Sequence, residues 1–309
     1  MTRKFRFGLQ LGGMPSAEEW VAKVQEAEAL HFDTVVVPDH LFSIIAPWSA
    51  LAVAAQATER IRLGTLLLNN DLRHPVVVAH EAATLNVLSN GRLELGIGAG
   101  WNRAEYDAAG LRFDGPRARV DRLTESVTIL RKLLSGETVD FAGEHYTVRG
   151  HGIDLGPVAK PSPPLVIGGN GDRVLSLGAR HADVINLLGM TVRPDGTRDF
   201  STFTPEGLSG KLDVIKGVAG ERFAALEKSV YVWFIKSAAS AEEAAAQVQR
   251  DESISIDDLL QCPFALLGTP AEMAEKMVRI RERLGISYWI APPNAMHEMA
   301  AAMRDLLGT

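Results

Sequence analysis

Asp33-Thr34-Val35-Val36-Val37-Pro38-Asp39-His40 is the stretch on which the fold turns. Its apolar residues do not alternate with polar ones, so the strand it predicts is buried on both faces, as in a parallel sheet covered by helices. Similar short runs recur outward from it: Phe5–Gln10 before, then Ile61–Leu68, Leu93–Ile97, Leu165–Ile167, Asp183–Leu188, Val230–Ile235 and Ser287–Ala291. Helix starts lie between them. Ser16-Ala-Glu-Glu19 and Ser240-Ala-Glu-Glu243 have capping-box spacing, and Thr269-Pro-Ala-Glu272 adds proline at the first helical position. Strands alternating with helices predict an α/β fold, either a closed (β/α)8 TIM barrel or a long doubly wound sheet. No Pro/Ser-rich linker or composition shift divides residues 1–309, which read as one domain and favour the barrel. Two stretches break the βα repeat and are taken as insertions, about 140–164 and 189–228.

Composition narrows the function. With 46% hydrophobic and 23% charged residues the chain is an ordinary globular protein, which excludes disorder, collagen and coiled coil. Its 32 Lys and Arg against 38 Asp and Glu give a net charge of −6, a poor balance for nucleic acid. The single cysteine, Cys262, rules out an internal disulfide. His80-Glu81 lacks the second histidine of a His-Glu-x-x-His helix and no His-x-His occurs, so no metal is expected. No apolar run approaches the ~18 residues of a membrane span, and no secretory apolar stretch follows Met1. A cytoplasmic protein with no membrane partner is the expectation.

Three strands are followed by glycine clusters. Gly12-Gly13 lacks the spacing of a dinucleotide-binding turn. Gly96-Ile-Gly98-Ala-Gly100 leads into Trp101-Asn102-Arg103-Ala104-Glu105, and Gly168-Gly169-Asn170-Gly171-Asp172-Arg173 follows Leu165-Val-Ile167. Such turns let backbone N–H groups converge on an anion at a helix N-terminus, and Arg173 adds a charge there. They serve equally as tight turns needing positive φ. Asp39-His40 closes the second strand, at the end where a parallel barrel builds its active site. A histidine there handles a proton near neutral pH, unless a backbone carbonyl has already satisfied it. Asn69-Asn70-Asp71 closes the third strand, as a site rim or a loop cap. A nucleophile elbow and a P-loop are both absent. The residues alone therefore predict a barrel binding a phosphate-bearing ligand, with His40 handling protons, and do not name the reaction.

Several segments together resemble the luciferase-like monooxygenase superfamily, and within it the branch that uses the deazaflavin coenzyme F420. They are Phe32-Asp-Thr-Val-Val-Val-Pro-Asp-His-Leu-Phe42, Arg60 through Pro75, Glu81-Ala-Ala-Thr-Leu-Asn86, Leu88 through Trp101, Leu165 through Arg173 and Leu267-Gly-Thr-Pro270. The resemblance implies a (β/α)8 barrel with insertions, often a homodimer through barrel helices, with a flavin or deazaflavin across the C-terminal mouth. It implies a non-proline cis peptide within Leu67–Asn70 backing the ring, with Leu68, Asn69 and Asn70 against it. It carries cofactor contacts to Gly98, Gly100 and Asn102, and to Gly168, Gly169, Asn170 and Gly171. Asp39 and His40 match the pair that bonds the ring or meets substrate.

One departure bears on substrate. Some deazaflavin-dependent sugar-phosphate dehydrogenases place a glutamate directly after the strand-four glycines, where this chain has Trp101; Glu105 is the next acid and is expected to cap or brace the loop. Trp48 follows His40 by eight residues, a longer spacing than in those enzymes. Trp101 and Trp48 pack the core or rim, or else are candidates to wall an apolar pocket. The resemblance leaves hydride transfer between F420 and a small organic substrate, with His40 moving the paired proton. Its alternatives are an FMN monooxygenase fed by a flavin reductase partner, and a non-catalytic flavin-binding barrel. Arg103, Arg112, Arg117, Arg119 and Arg122 favour F420 if they form a rim for its acidic tail, and otherwise make a solvated helix face.

Overall fold

The computed structural model describes residues 3–13, 16–42, 44–154, 162–193, 197–249 and 254–309. Within the expected insertions, 155–161 and 194–196 lie outside the described residues. The strands are β1 (Arg6–Gln10), β2 (Thr34–Val37), β3 (Arg62–Thr65), β4 (Leu68–Asn69), β5 (Leu93–Gly98), β6 (Val139–Ala142), β7 (Thr147–His151) and β8 (Leu165–Gly168). After these come β9 (Val184–Leu187), β10 (Thr191–Val192), β11 (Arg198–Asp199), β12 (Glu227–Tyr231), β13 (Phe234–Ser237), β14 (Ala265–Gly268) and β15 (Ile286–Ala291). The helices are α1 (Ala17–Ala29), α2 (Pro47–Ala57), α3 (Pro75–Leu88), α4 (Arg103–Ala109), α5 (Pro116–Leu134) and α6 (Asp172–His181). They continue as α7 (Pro205–Ala219), α8 (Ala241–Gln249), α9 (Ile256–Gln261), α10 (Pro270–Leu284) and α11 (Met296–Met303).

The main sheet runs in the order β3-β2-β1-β15-β12-β9-β8-β5-β4, and β3 also pairs with β5. Leaving the two-residue β4 aside, neighbours are consecutive main strands with no reversal of order. That is the pattern of a (β/α)8 barrel and not of a doubly wound sheet. The chain divides into two compact units interleaved in sequence, one of Gly12–Glu28 with Val35–Ile167, the other mainly Gly168–Thr309.

In the first unit β5 is buried along its whole length and pairs in parallel with β3, β4 and β8. Gly96 is required at its centre, because a Cβ there would lie 2.0 Å from the Thr65 carbonyl oxygen. Thr65 Oγ1 donates to Gly96 O at 2.7 Å and accepts from Gly96 N at 2.9 Å. The single strand expected over Ile61–Leu68 is divided: β3 ends at Thr65, the Leu66–Leu67 peptide is cis, and β4 resumes at Leu68. The cis bond thus falls one residue before the expected Leu67–Asn70. The stretch read as the 140–164 insertion contains most of an antiparallel hairpin of β6 and β7. Its turn is held to α5 by the Glu125 carboxylate, which accepts from the amides of Glu144, His145 and Tyr146 at 2.8–3.0 Å.

In the second unit β15 is buried throughout and pairs with β1 and β12. The strand expected over Val230–Ile235 is two strands: β12 ends at Tyr231 in the main sheet, and β13 pairs with β14 in a separate parallel pair. Apolar residues continue across that break, so periodicity does not reveal it. The region read as the 189–228 insertion holds the β10–β11 hairpin and the fifteen-residue α7. The Thr269 capping box is present in full at the start of α10.

Candidate active site

β2 ends at Val37 and runs into Pro38-Asp39-His40, where two different anchors fix the last two side chains. Asp39 is buried. Its carboxylate takes both guanidinium N–H groups of Arg73, at 2.6 and 3.2 Å, and the backbone N–H of Asn69 at 3.0 Å. His40 is held through Nδ1, 2.6 Å from Oε1 of the buried Glu105 on α4. Asn102 Nδ2 donates to the same Oε1 at 2.8 Å, and the Trp101 indole meets the imidazole edge to face at 5.8 Å. No described residue pairs with His40 Nε2. Trp101 itself is 55% exposed, as are neighbouring apolar side chains Leu41 and Phe42 to nearly the same degree.

A second network ties the end of the third strand to α4 and α5. Asn69 Oδ1 accepts from the Asp71 amide at 3.1 Å and from the Tyr106 hydroxyl at 2.9 Å. Asp71 is gripped bidentately by Arg122, at 2.8 and 2.9 Å, and Arg122 also donates to Asp114 at 2.6 Å. The Asp71 bond is the main reason that the Arg122 guanidinium holds its proton more tightly than usual, and Arg122 in turn lowers the Asp114 carboxyl below the usual range. Burial, with Asp71 nearby, pushes the Tyr106 phenol up, and burial also raises Tyr146. Asn70 Nδ2 donates to the Tyr146 hydroxyl at 3.2 Å, while Asn70 Oδ1 is buried with no described partner. On α3, burial raises the carboxyl of Glu81, with Arg73 opposing the shift and Asp39 adding to it.

The structure thus brings together, in the first unit, Asp39, His40, Leu68, Asn69, Asn70, Gly98, Gly100, Trp101 and Asn102 on the ends of β2, β4 and β5 and the turns after them. Gly100 is glycine for an internal reason. It has φ +75°, and a Cβ would lie 2.2 Å from the Tyr106 hydroxyl. Leu68 is buried beside the cis peptide. Trp48 is half-buried in α2, with an Nε1 that has no described partner. The arginine cluster divides into two buried or part-buried members and three exposed ones. Arg122 is bound to Asp71 and Asp114, Arg119 donates to Asp114 O and stacks on Phe113, and Arg112, Arg103 and Arg117 face Asp114, Asp107 and Asp121. Arg122 and Arg119 are thus committed inside the fold, whereas Arg103, Arg112 and Arg117 pair across the surface and remain 70%, 88% and 92% exposed.

In the second unit Gly168 ends β8, Gly169 N donates to Asn186 O at 3.3 Å, and Gly171 is the N-cap of the ten-residue α6, with no side chain capping it. A Cβ on Gly171 would meet nothing within 4 Å, so the helix entrance is open. The Asn170 amide is spent internally, on Met190 O at 2.7 Å and Thr191 Oγ1 at 2.9 Å. Arg173 stands in the first turn of α6. An uncapped helix entrance built on glycines offers backbone N–H donors and a favourable dipole to an anion.

Comparison with known proteins settles the family. The sequence profile of the luciferase-like monooxygenases matches residues 2–209. The chain belongs to the luciferase-like monooxygenase family. A curated relative, the F420-dependent glucose-6-phosphate dehydrogenase of Intrasporangium calvum, is 36% identical over 194 residues, which cover 57% of this chain and 56% of the relative. The match therefore spans little more than half of either protein. This luciferase-like chain also shares its fold with an F420-dependent secondary alcohol dehydrogenase solved with an F420–acetone adduct, at TM-score 0.76, 19% identity, and coverage of 99% and 98% of the two chains. A riboflavin lyase solved with modified FMN and riboflavin aligns at TM-score 0.77, 15% identity, and coverage of 98% and 92%. As in those relatives the fold is a (β/α)8 barrel.

Sequence reading missed the groups that hold the predicted site residues: Arg73 on Asp39, Glu105 on His40, Tyr106 on Asn69 and Arg122 on Asp71. Glu105 and Tyr106 were visible as the start of a helix after a glycine turn. Nothing local signals that they face strands 37 to 65 residues earlier.

Proposed function

We propose that this protein is an oxidoreductase that transfers a hydride between coenzyme F420 and a small organic substrate. The observation that carries the reading is the His40 imidazole, anchored at Nδ1 by Glu105 while no described residue pairs with Nε2. The F420-dependent relative at 36% identity supports the choice of cofactor. The residues present fit that group. Asn70 Oδ1 is a buried acceptor without a described donor, suited to a ring N–H, and the glycine entrance of α6 is suited to a phosphate. In this reading Leu68, Asn69, Asn70, Gly98, Gly100 and Asn102 serve the ring side, and the backbone of Gly168, Gly169, Asn170 and Gly171, with Arg173, serves the phosphate.

When bound, the deazaflavin supplies the hydride chemistry. The protein's part is to place the substrate and to move the accompanying proton. His40 Nε2 gives or takes that proton, a general acid–base role worth typically ~10²–10⁴-fold. Asp39 makes no free base: its charge is spent on Arg73 and on the Asn69 amide, so it fixes the backbone leading into the Asn69-Asn70 turn. Exposed Leu41, Phe42 and Trp101 beside His40 suit an apolar substrate surface better than a sugar phosphate.

Residues 1–309 form a single domain in this proposal, acting as a homodimer. Supporting the dimer, α2 and α3 pack together and leave Val53, Val77, Val87 and Leu88 exposed, while α3 carries no charge besides Glu81. Apolar residues on the outer faces of paired helices mark an association surface.

Titrating the purified protein with F420 and, separately, FMN at fixed salt tests the reading, following the fluorescence of each ring. Micromolar or tighter F420 binding with much weaker FMN binding is expected. The reverse preference moves the protein to an FMN monooxygenase served by a flavin reductase. Tight F420 binding with no turnover on any hydride acceptor or donor leaves a non-catalytic binding barrel.

A further inference from the structure

We propose that Glu105 is the positioning residue of His40: it fixes the imidazole as the Nδ1–H tautomer, so that Nε2 alone exchanges a proton with a ligand. The argument starts at Glu105 Oε1. That oxygen already accepts the Asn102 amide N–H at 2.8 Å, so it acts as an acceptor, and at 2.6 Å the proton of the shared bond belongs to His40 Nδ1. Which imidazole nitrogen bears hydrogen is set by the bond that the other nitrogen makes. With Nδ1 committed, a neutral ring carries its lone pair on Nε2, the nitrogen with no described partner.

Two groups from one strand-to-helix corner meet the ring, and a third holds one of them. Glu105 takes Nδ1, Asn102 holds the Glu105 carboxylate, and the Trp101 indole stands at 84° to the imidazole at 5.8 Å. Glu105 is 4% exposed and His40 stands just past the end of β2, 65 residues earlier in the chain, so the contact is built by the fold and not by chance proximity on a surface. Glu105 touches neither substrate nor cofactor in this scheme. It acts through His40.

The test has two arms, and only the second depends on the F420 reading. In the first, the side-chain ¹⁵N spectrum of His40 is recorded on the protein alone, with His40→Gln identifying its signals. The neutral ring of the wild type is expected to show protonated Nδ1 and unprotonated Nε2, and both Glu105→Gln and Glu105→Ala are expected to shift population to the Nε2–H form. Wild-type His40 in the Nε2–H form, or a spectrum unchanged by both substitutions, overturns the proposal. In the second arm, Glu105→Gln keeps the volume and is expected to lower kcat at least 10-fold while KM and F420 affinity stay within threefold. A variant that loses F420 affinity and kcat together, with the His40 tautomer intact, shows a merely structural glutamate and also overturns it. Failure of wild-type protein to bind F420 would instead sink the proposed function and leave the tautomer result standing.

Discussion

Asp39 and Arg73 face each other through both pairs of their polar atoms, at 2.6 and 3.2 Å, with the carboxylate almost wholly buried. Breaking such a pair from one side leaves a buried charge without compensation. Arg73→Met is therefore expected to cost on the order of 3 kcal/mol of stability, read from urea unfolding at pH 7. A loss under ~1 kcal/mol would mean that water or the Asn69 amide suffices for the carboxylate.

His40→Ala removes the proton-handling group but none of the glycine or asparagine contacts assigned to the cofactor. Turnover is expected to drop at least ~10-fold, in line with a general acid–base contribution, while F420 affinity changes by only a few-fold. Steady-state kinetics beside a fluorescence titration separates the two; unchanged turnover rules out the role.

Gly171→Asp sets a local helix preference against ligand binding. The position has φ −75° and open space around a Cβ, so aspartate fits and caps α6. A new cap is worth about 0.5–2 kcal/mol, so the melting temperature should hold or rise. The same carboxylate takes the amides and the dipole that a phosphate would use, and F420 affinity should fall at least ~10-fold. Wild-type affinity in this variant would place the phosphate elsewhere.

Lys276 gives a pH dependence with a definite sign. Its ammonium is buried, donates to Leu259 O at 2.8 Å, and is pulled down to about 8 chiefly by that burial, with nearby Cys262 opposing the fall. In the unfolded chain a lysine titrates near ~10.4. Between these values the unfolded state binds more protons, so stability rises with pH and is lowest, for this group, below about 8. For this group alone, going from pH 8 to pH 9 adds about 1 kcal/mol. Burial raises the Cys262 thiol, which titrates near ~8.5 in the unfolded chain and so opposes the rise over the same window; the Lys276 share is read as the difference between wild type and Lys276→Met. Lys276→Met should abolish the rise; a slope that survives the substitution assigns it to another group.

Val53→Glu with Leu88→Glu places charges on the outer faces of α2 and α3. Sedimentation should report a dimer for the wild type and a folded monomer for the double variant. A wild-type monomer at micromolar concentration removes the homodimer from the proposal.

Sequence alone determined the α/β class, favoured the barrel over a doubly wound sheet, and set the chain positions of most candidate side chains. Continuous apolar runs such as Val35-Val36-Val37 have one stable environment, burial on both faces, and their ends then place Asp39, His40, Asn69 and Asn70 on the same rim. Glycines marked the sharp corners, but their type did not say why each is glycine. Gly100 yields to Tyr106 and Gly96 to Thr65, whereas Gly171 leaves space open. Breaks inside apolar runs, between β3 and β4 and between β12 and β13, were likewise hidden, because apolar residues persist through them. What tertiary structure decided was the pairing. Whether Arg122 meets a ligand or Asp71, and whether Glu105 braces a loop or orients His40, depends on which strand end lies opposite each helix. Side-chain charge is written in the sequence, but its partner is chosen by distances that only the closed fold sets, and electrostatic and hydrogen-bond energies fall off within a few ångströms.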